Sequence, residues 1–365
     1  MTERCSIFLL DARSGASPRS SATAPSRAAC ARKGHMKRIA AATLVMGLAI
    51  AAAGRAGAAD PPVIRVGWSV PAQTQHYVMM KKPGILKHHG KAYKVDWVNF
   101  PGSVAIIQAI ASKNLDAGGI SIVPLARTIE QKAANLKIVA DMMSERKGGF
   151  QTTWVTLESS GIKTIADLKG KTMGVAGYGS TTDLLARAIL RKNGIDPDRD
   201  VKRVEVPFPV MESAMRKGDI VAGEMAQPFY ANAKARGGIR ELFTAQEVLP
   251  VLPLLVEAFT AEFMAAHPQA VKAFLEDYVT ALDFARDPKN RDEVVGIVAE
   301  VSKLPRDVLA TFLLTPQDYF MSPDAMPDVD AIQKTLDFLK EGGVLKTQLD
   351  AKSMVDVSLH PRVKR

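Results

Sequence analysis

Thr172-Met173-Gly174-Val175-Ala176-Gly177-Tyr178-Gly179-Ser180-Thr181-Thr182-Asp183 passes from a short apolar strand, through a glycine-rich turn, into the hydroxyl-rich start of a helix. Glycines let a backbone approach a ligand closely, and the first turn of a helix offers unpaired N–H groups and the positive end of its dipole. The stretch lacks the Lys-Ser/Thr pair of a phosphate loop, and Thr182 stands where a dinucleotide fingerprint needs its third glycine. Nucleotide chemistry is therefore disfavoured. Gly179, Ser180, Thr181 and Thr182 could instead hold a small oxyanion without a lysine, although Ser and Thr are also ordinary N-caps.

The same alternation extends outward in both directions. Downstream, Arg203–Val206 and Ile220–Met225 read as strands, and Thr182–Asn193, Val210–Lys217 and Pro228–Arg236 read as helices. Just upstream, Gln151–Thr156 reads as a strand, and Thr164-Ile165-Ala166-Asp167 has the form of a capping box. Before Glu145-Arg146-Lys147-Gly148-Gly149 lies a separate set. Its strands are Val63–Gly67, Lys94–Asn99, Asp116–Ile120 and Lys137–Ala140; its helices are Gln75–His88, Ser103–Lys113 and Pro124–Ala134. Such alternation argues for parallel, doubly wound sheets. Phe100-Pro101-Gly102-Ser103 repeats the strand-to-helix design of Gly177–Thr182 in this first set. Ligands of open α/β sheets bind outside the carboxyl ends of the strands, so two such ends facing one another define a candidate cleft.

From Ala261 the chain turns helical, with helices expected from His267-Pro268 to about Asp287, over Arg291–Val301 and Pro305–Leu314, and over Val329–Glu341. These helices have no sheet of their own, so they should cover the first one. Lobe one then comprises 60–147 and 253–365, with lobe two, 148–252, inserted.

Residues 1–59 hold nine of the 48 Lys/Arg but only two of the 38 Asp/Glu, so most of the formal net charge of +10 belongs to that stretch. Nucleic acid is therefore discounted as a partner. Within the stretch, Met36-Lys37-Arg38, the apolar run Ile39–Ala53 and the small residues Ala56-Gly57-Ala58-Ala59 form a secretory signal in order. Removal of 1–59 would discard Cys5 and Cys30, and no cysteine follows the apolar run to carry a lipid. The remaining chain is thus expected in the periplasm, without thiol nucleophiles, disulfides or a metal or other cofactor. His76, His88, His89, His267 and His360 show no metal-ligand spacing, and no Gly-x-Ser-x-Gly elbow occurs. Catalysis is not expected.

The residues at these positions resemble the nitrate/sulfonate/taurine class of periplasmic binding proteins, in the broader thiamine-pyrimidine-like superfamily. The resemblance is carried by Phe100–Ser103, Gln108–Gly119, Ile162–Val175, Gly179–Thr181, Ala214–Ala222 and Gln227–Phe229, in that order. It implies a two-lobed type II periplasmic binding fold, each lobe a doubly wound mixed sheet. It also implies a monomeric solute-binding protein serving the permease of an ABC importer. Carried over by position, Gly102, Ser103, Ser180, Thr181 and Thr182 would hold an anionic head, with Trp68, Ser69, Ser121, Gly179 and Gln227 lining the same cleft. Trp154 is open between an aromatic wall and the core; Glu224 reads as solvated, and Arg146 sits at the expected hinge. Relatives carry Trp-Asp/Glu-Pro where this chain has Ala226-Gln227-Pro228. Loss of the acid argues against an ammonium-bearing solute such as taurine, and loss of the tryptophan widens the cleft. A bulkier sulfonate or carboxylate is the leading ligand. A periplasmic sensor subunit, or a thiamine-pyrimidine-type binding protein or enzyme, is the alternative.

Overall fold

The computed structural model describes residues 60–69 and 73–363. The expected signal segment, Met36 to Ala59, and both cysteines lie outside the described residues. Ten strands are present: β1 Val63–Trp68, β2 Lys94–Asn99, β3 Ala117–Ser121, β4 Leu136–Arg146, β5 Thr153–Leu157, β6 Thr172–Val175, β7 Lys202–Glu205, β8 Ala222–Met225, β9 Ile239–Thr244 and β10 Val251–Thr260. Between and after them come α1 Thr74–Lys81, α2 Ser103–Ala111, α3 Ile122–Glu130, α4 Thr181–Lys192, α5 Phe208–Lys217, α6 Phe229–Arg236, α7 Ala261–Ala266, α8 Pro268–Arg286, α9 Arg291–Ser302, α10 Arg306–Phe312, α11 Val329–Glu341 and α12 Ala351–Met354.

The strands form two five-stranded sheets, ordered β2-β1-β3-β10-β4 and β7-β6-β8-β5-β9. Alternation alone argued for parallel sheets, whereas the resemblance implied mixed ones, and the sheets are mixed. β10 runs antiparallel to both β3 and β4, and β5 runs antiparallel to both β8 and β9. Strands β9 and β10 were not foreseen, because an apolar run specifies burial but not direction. The helix expected over Gln75–His88 also ends early, at Lys81. Pro83 lacks a donor and opens a short 3-10 turn instead.

Each sheet is covered on both faces. Ile138 and Val139 of β4 belong to separate hydrophobic clusters, as do Trp154 and Val155 of β5, because neighbouring strand residues point to opposite faces. On the first sheet, α1, α8, α9 and α10 fill one face and α2, α3, α11 and α12 the other. The C-terminal helices therefore pack on a sheet made chiefly by the first part of the chain.

A shared detail links the two sheets. Gly67 pairs with Gly118 across β1 and β3, and Gly174 pairs with Gly223 across β6 and β8. A Cβ on Gly118 would stand 2.8 Å from Ile106 of α2, and one on Gly223 would stand 2.5 Å from Met211 of α5. Both helices can lie this low only over a bare backbone.

Two buried polar groups secure the first sheet. The Asp277 carboxylate of α8, fully buried, accepts from the backbone N–H groups of Lys87 (2.8 Å), His88 (3.0 Å) and His89 (2.9 Å), and from the Tyr93 hydroxyl (2.8 Å). His76 and Glu257, also fully buried, meet at 2.6 Å. A third link joins the sheets themselves: Phe150 donates to the carbonyl of Asp318 (2.6 Å), while Phe320 bridges Ser144 of β4. Replacing Asp277 with alanine should leave its donors unpaired in the core and cost about 3 kcal/mol or more in urea unfolding followed by circular dichroism. A loss below about 1 kcal/mol would show that the loop over 87–89 does not depend on this carboxylate.

Candidate ligand-binding site

In each sheet one parallel strand is flanked by the next two parallel strands of the chain, β1 by β2 and β3 and β6 by β7 and β8, so the winding reverses there, which is where open α/β sheets bind ligands. The strand ends at these points line one cleft of about 1010 Å3. Ser69, Gly102, Ser103, Ser121, Gly179, Ser180, Thr181, Thr182 and Gln227 all contribute to its wall. Trp68 does not, and its assignment to the cleft is corrected. Alternation along the strand turns its ring away from Ser69 and into the core, edge-on to Tyr77 with centroids 5.7 Å apart.

The first-sheet side of the cleft is a hydroxyl corner. The Ser103 hydroxyl accepts from the Ser121 backbone N–H at 2.9 Å and donates to the Ser121 hydroxyl at 3.0 Å. α2 and α3 both begin here, and neither carries a side-chain cap, so the N–H groups of Ser103–Ala105 and of Ile122 and Val123 have no capping side chain, while Pro124 has no N–H to offer. Ser69 is tied into the interior. Gln73 donates to the Ser69 hydroxyl (3.4 Å) and the Gly119 carbonyl (3.2 Å), and its amide oxygen meets His76 (3.0 Å), which reaches Glu257.

The second-sheet side differs from the sequence expectation. Several N–H groups of the glycine-rich turn are already taken by carboxylates of the protein: Ala176 donates to Glu224 (2.6 Å), Tyr178 to Glu205 (2.8 Å) and Gly179 to Asp183 (2.9 Å). Ser180 caps α4 by accepting from Asp183 (3.1 Å), and Asp183 is ion-paired with Arg203. This wall is therefore largely neutralised from behind, which leaves the Ser103–Ser121 corner as the more open anion seat.

Glu224 read as solvated, but it is fully buried on β8, and one of its carboxylate oxygens has no partner among the described residues. Burial pushes its carboxyl up to about 7, against the opposing hydrogen bonds from Ala176 and Thr182. Desolvation likewise lifts Glu145 and Asp141 to about 7 and Asp318 to about 6.

Trp154 is a core residue, stacked on Phe243 at 4.8 Å, and forms no cleft wall. Arg146 pairs with Asp328 (3.2 Å) and lies over the Phe320 ring. Gln227 reaches the cleft, yet its amide is already engaged: its nitrogen donates to the Gln317 carbonyl (2.9 Å), and its oxygen accepts from Ala231 (3.2 Å).

The cleft also holds residues that sequence reasoning passed over. Arg127 of α3 is the one charged side chain among the described lining residues, and it belongs to no motif. Phe208 starts α5 just beyond β7, so the strand-end rule applied to a third strand would have found it. Its ring stacks with that of Phe229 at 6.2 Å and 9°. Val104 and Tyr178, 61% and 55% exposed, are the two most exposed large hydrophobics among the described residues, and they stand on opposite sides of the cleft. Leu252, Leu254 and Leu255 of β10 complete an apolar lining.

The model of the NMT1-like family matches residues 57–299. The chain belongs to the NMT1-like family. This NMT1-like protein is 24% identical over 304 residues to a putative aliphatic sulfonates-binding protein of Escherichia coli, a match spanning 82% of this chain and 90% of that one. It is 28% identical over 265 residues to the taurine-binding periplasmic protein of Escherichia coli, spanning 68% of this chain and 78% of that one. Its fold is similar to the crystal structure of the periplasmic aliphatic sulphonate binding protein SsuA from Escherichia coli. The TM-score is 0.69 at 20% identity, covering 84% of this chain and 95% of that one. The periplasmic nitrate-binding protein NrtA from Synechocystis gives 0.59 at 16% identity, covering 82% and 86%. The NMT1-like protein thus has the type II periplasmic binding fold, as the resemblance implied.

The raised carboxyls bind protons more readily folded than unfolded, so stability should fall as pH rises from the ordinary value of 4.5 toward about 7. Glu224→Gln keeps the shape and removes the charge. Relative to the native chain it should gain up to about 3 kcal/mol in thermal stability between about pH 5 and about pH 8. An equal effect at both ends of that range would mean that Glu224 does not titrate within it.

Proposed function

We propose that this NMT1-like protein is the solute-binding component of an ABC importer, capturing a small organic anion, a sulfonate or carboxylate, and passing it to membrane permease subunits. One observation carries the reading. The cleft is lined by the uncapped starts of α2 and α3 and by Arg127, and no acidic side chain is among its described lining residues. Helix N-termini favour negative charge, and a lone guanidinium in a largely apolar cleft draws anions toward it. The sulfonate-, taurine- and nitrate-binding names of the relatives point the same way.

On this reading Gly102, Ser103 and Ser121 seat the anion, while Ser69 and Gly179–Thr182 close the wall around it. The lobes are 60–147 with 253–365, and 148–252, and they fold over the solute without changing it. The protein acts as a monomer in the periplasm, exported through a signal at 36–59 and not anchored by lipid. No helix among the described residues is long and apolar enough to cross a membrane.

Thermal unfolding of the purified protein, screened against sulfonates, carboxylates, nitrate and pyrimidines, tests the reading. An anion at a hundred times its Kd should add about 2.7 kcal/mol, and Ser103→Ala should weaken it about tenfold. The ligand should be recovered unchanged, and the periplasmic form should begin near Asp60. A shift only with a neutral heterocycle, or with nothing in the set, would overturn the anion reading.

A further inference from the structure

We propose that the solute is a planar aromatic anion, its carboxylate or sulfonate seated at the Ser103–Ser121 corner and its ring held by Phe208, Phe229 and Tyr178. This rests on the solute-binding reading above and narrows it.

The size of the cleft is the first argument. At about 1010 Å3 it stands at the upper end of the range for drug-sized ligands, about 300–1,000 Å3. An anion with no organic body would leave most of that space to water lying against leucine and phenylalanine.

The aromatic groups are the second argument. Phe208 and Phe229 open α5 and α6 at the ends of β7 and β8, so strand ends on either side of β6 fix both residues. Their rings stack within 9° of parallel, so a flat ligand laid on the free face of either ring is held in the orientation of both. Tyr178 is more than half exposed yet is held at two points. Its hydroxyl donates to the Arg203 carbonyl at 2.8 Å, and the Arg203 guanidinium lies 5.7 Å from its ring centroid. An aromatic ring fixed in water pays little further entropy when a ligand stacks on it. Ala226, also in the wall, leaves room beside Phe229.

The charge pattern is the third argument. No carboxylate lines the cleft among the described residues, and Glu224 behind the wall is engaged by Ala176. An ammonium tail lying on Phe208 and Phe229 would meet ring faces but no carboxylate to complete the replacement of its hydration shell, and a neutral polar tail would find no hydrogen-bond partner there. A zwitterionic aminosulfonate therefore fits worse than an arene carrying one anionic group.

Isothermal titration of the purified protein with matched pairs tests this: benzenesulfonate against methanesulfonate, benzoate against acetate, with benzyl alcohol as the neutral arene. At least one arene anion should bind about tenfold or more tighter than its methyl counterpart, with benzyl alcohol weaker still. The favoured head group identifies which anion the corner takes. Phe208→Ala should drive the arene-to-methyl ratio toward one, and Phe229→Leu, which keeps apolar volume without a ring face, should lower it in a chain whose circular dichroism is unchanged. Methyl anions binding as tightly as their arene partners would overturn the aromatic assignment and leave the solute-binding reading standing. Binding of benzyl alcohol as tight as that of the anions, or of no anion in either series, would remove the anion reading and this one with it.

Discussion

The antiparallel pairing of β4 with β10 is the constraint on which the rest of the molecule hangs. One strand carries the chain out of the first sheet and the other brings it back, and the two are bonded from Arg146 opposite Val251 to Leu136 opposite Thr260. Because β10 also pairs with β3, the returning strand is locked inside the first sheet and cannot hang from its edge. Pro253, which has no donor, falls at one of three register irregularities in the pair, where a missing ladder bond is tolerated. With both passages fixed in this way, the strand ends of the two sheets line a common space.

That space carries hydroxyl groups and apolar side chains on both sides, but the two sides differ in how much hydrogen-bond capacity is still free. At the first-sheet end, two serines at the starts of two helices keep hydrogen-bond capacity for a guest. At the second-sheet end, Glu224, Glu205 and Asp183 have already taken the N–H groups of the turn. Of the acids that satisfy this turn, Glu224 and Asp183 are buried behind it, and desolvation favours the protonated form of Glu224. The cleft wall is thus uncharged on the side where its aromatic rings stand.

Much of the architecture could be read from residue pattern alone. β2 and β6 lie where apolar runs bounded by turns put them, the capping box at Thr164 and Asp167 forms, and α11 spans Val329–Glu341 as its periodicity required. These features are local, and local chemistry decides them. Strand direction is not local, so β10 and the mixed character of the sheets could not be read. Nor could the likeness between the two sheets, which survives in the Gly67–Gly118 and Gly174–Gly223 pairs while the residues around them differ. At the site, the strand-end rule pointed to Ser103 and Ser180–Thr182, and the resemblance added Ser69 and Ser121; all line the one cleft. It could not say that Trp68 faces inward, nor that Glu205 and Glu224, distant in sequence, would reach the glycine turn, because both depend on tertiary register. Arg127 had no signal except its position on a helix that starts at the cleft.

The segment around Asp318 gives the fold a further mechanical property. Two strands passing between bodies define an axis, and bodies joined only by an axis can swing freely about it. Here the stretch from Gln317 to Phe320 fastens to Gln227, to Phe150 and to Ser144, adding a third connection beside the two strands. Any relative movement of the sheets that keeps these bonds must carry this tether along with the two strands, so the segment stiffens the joint about which the cleft opens and closes.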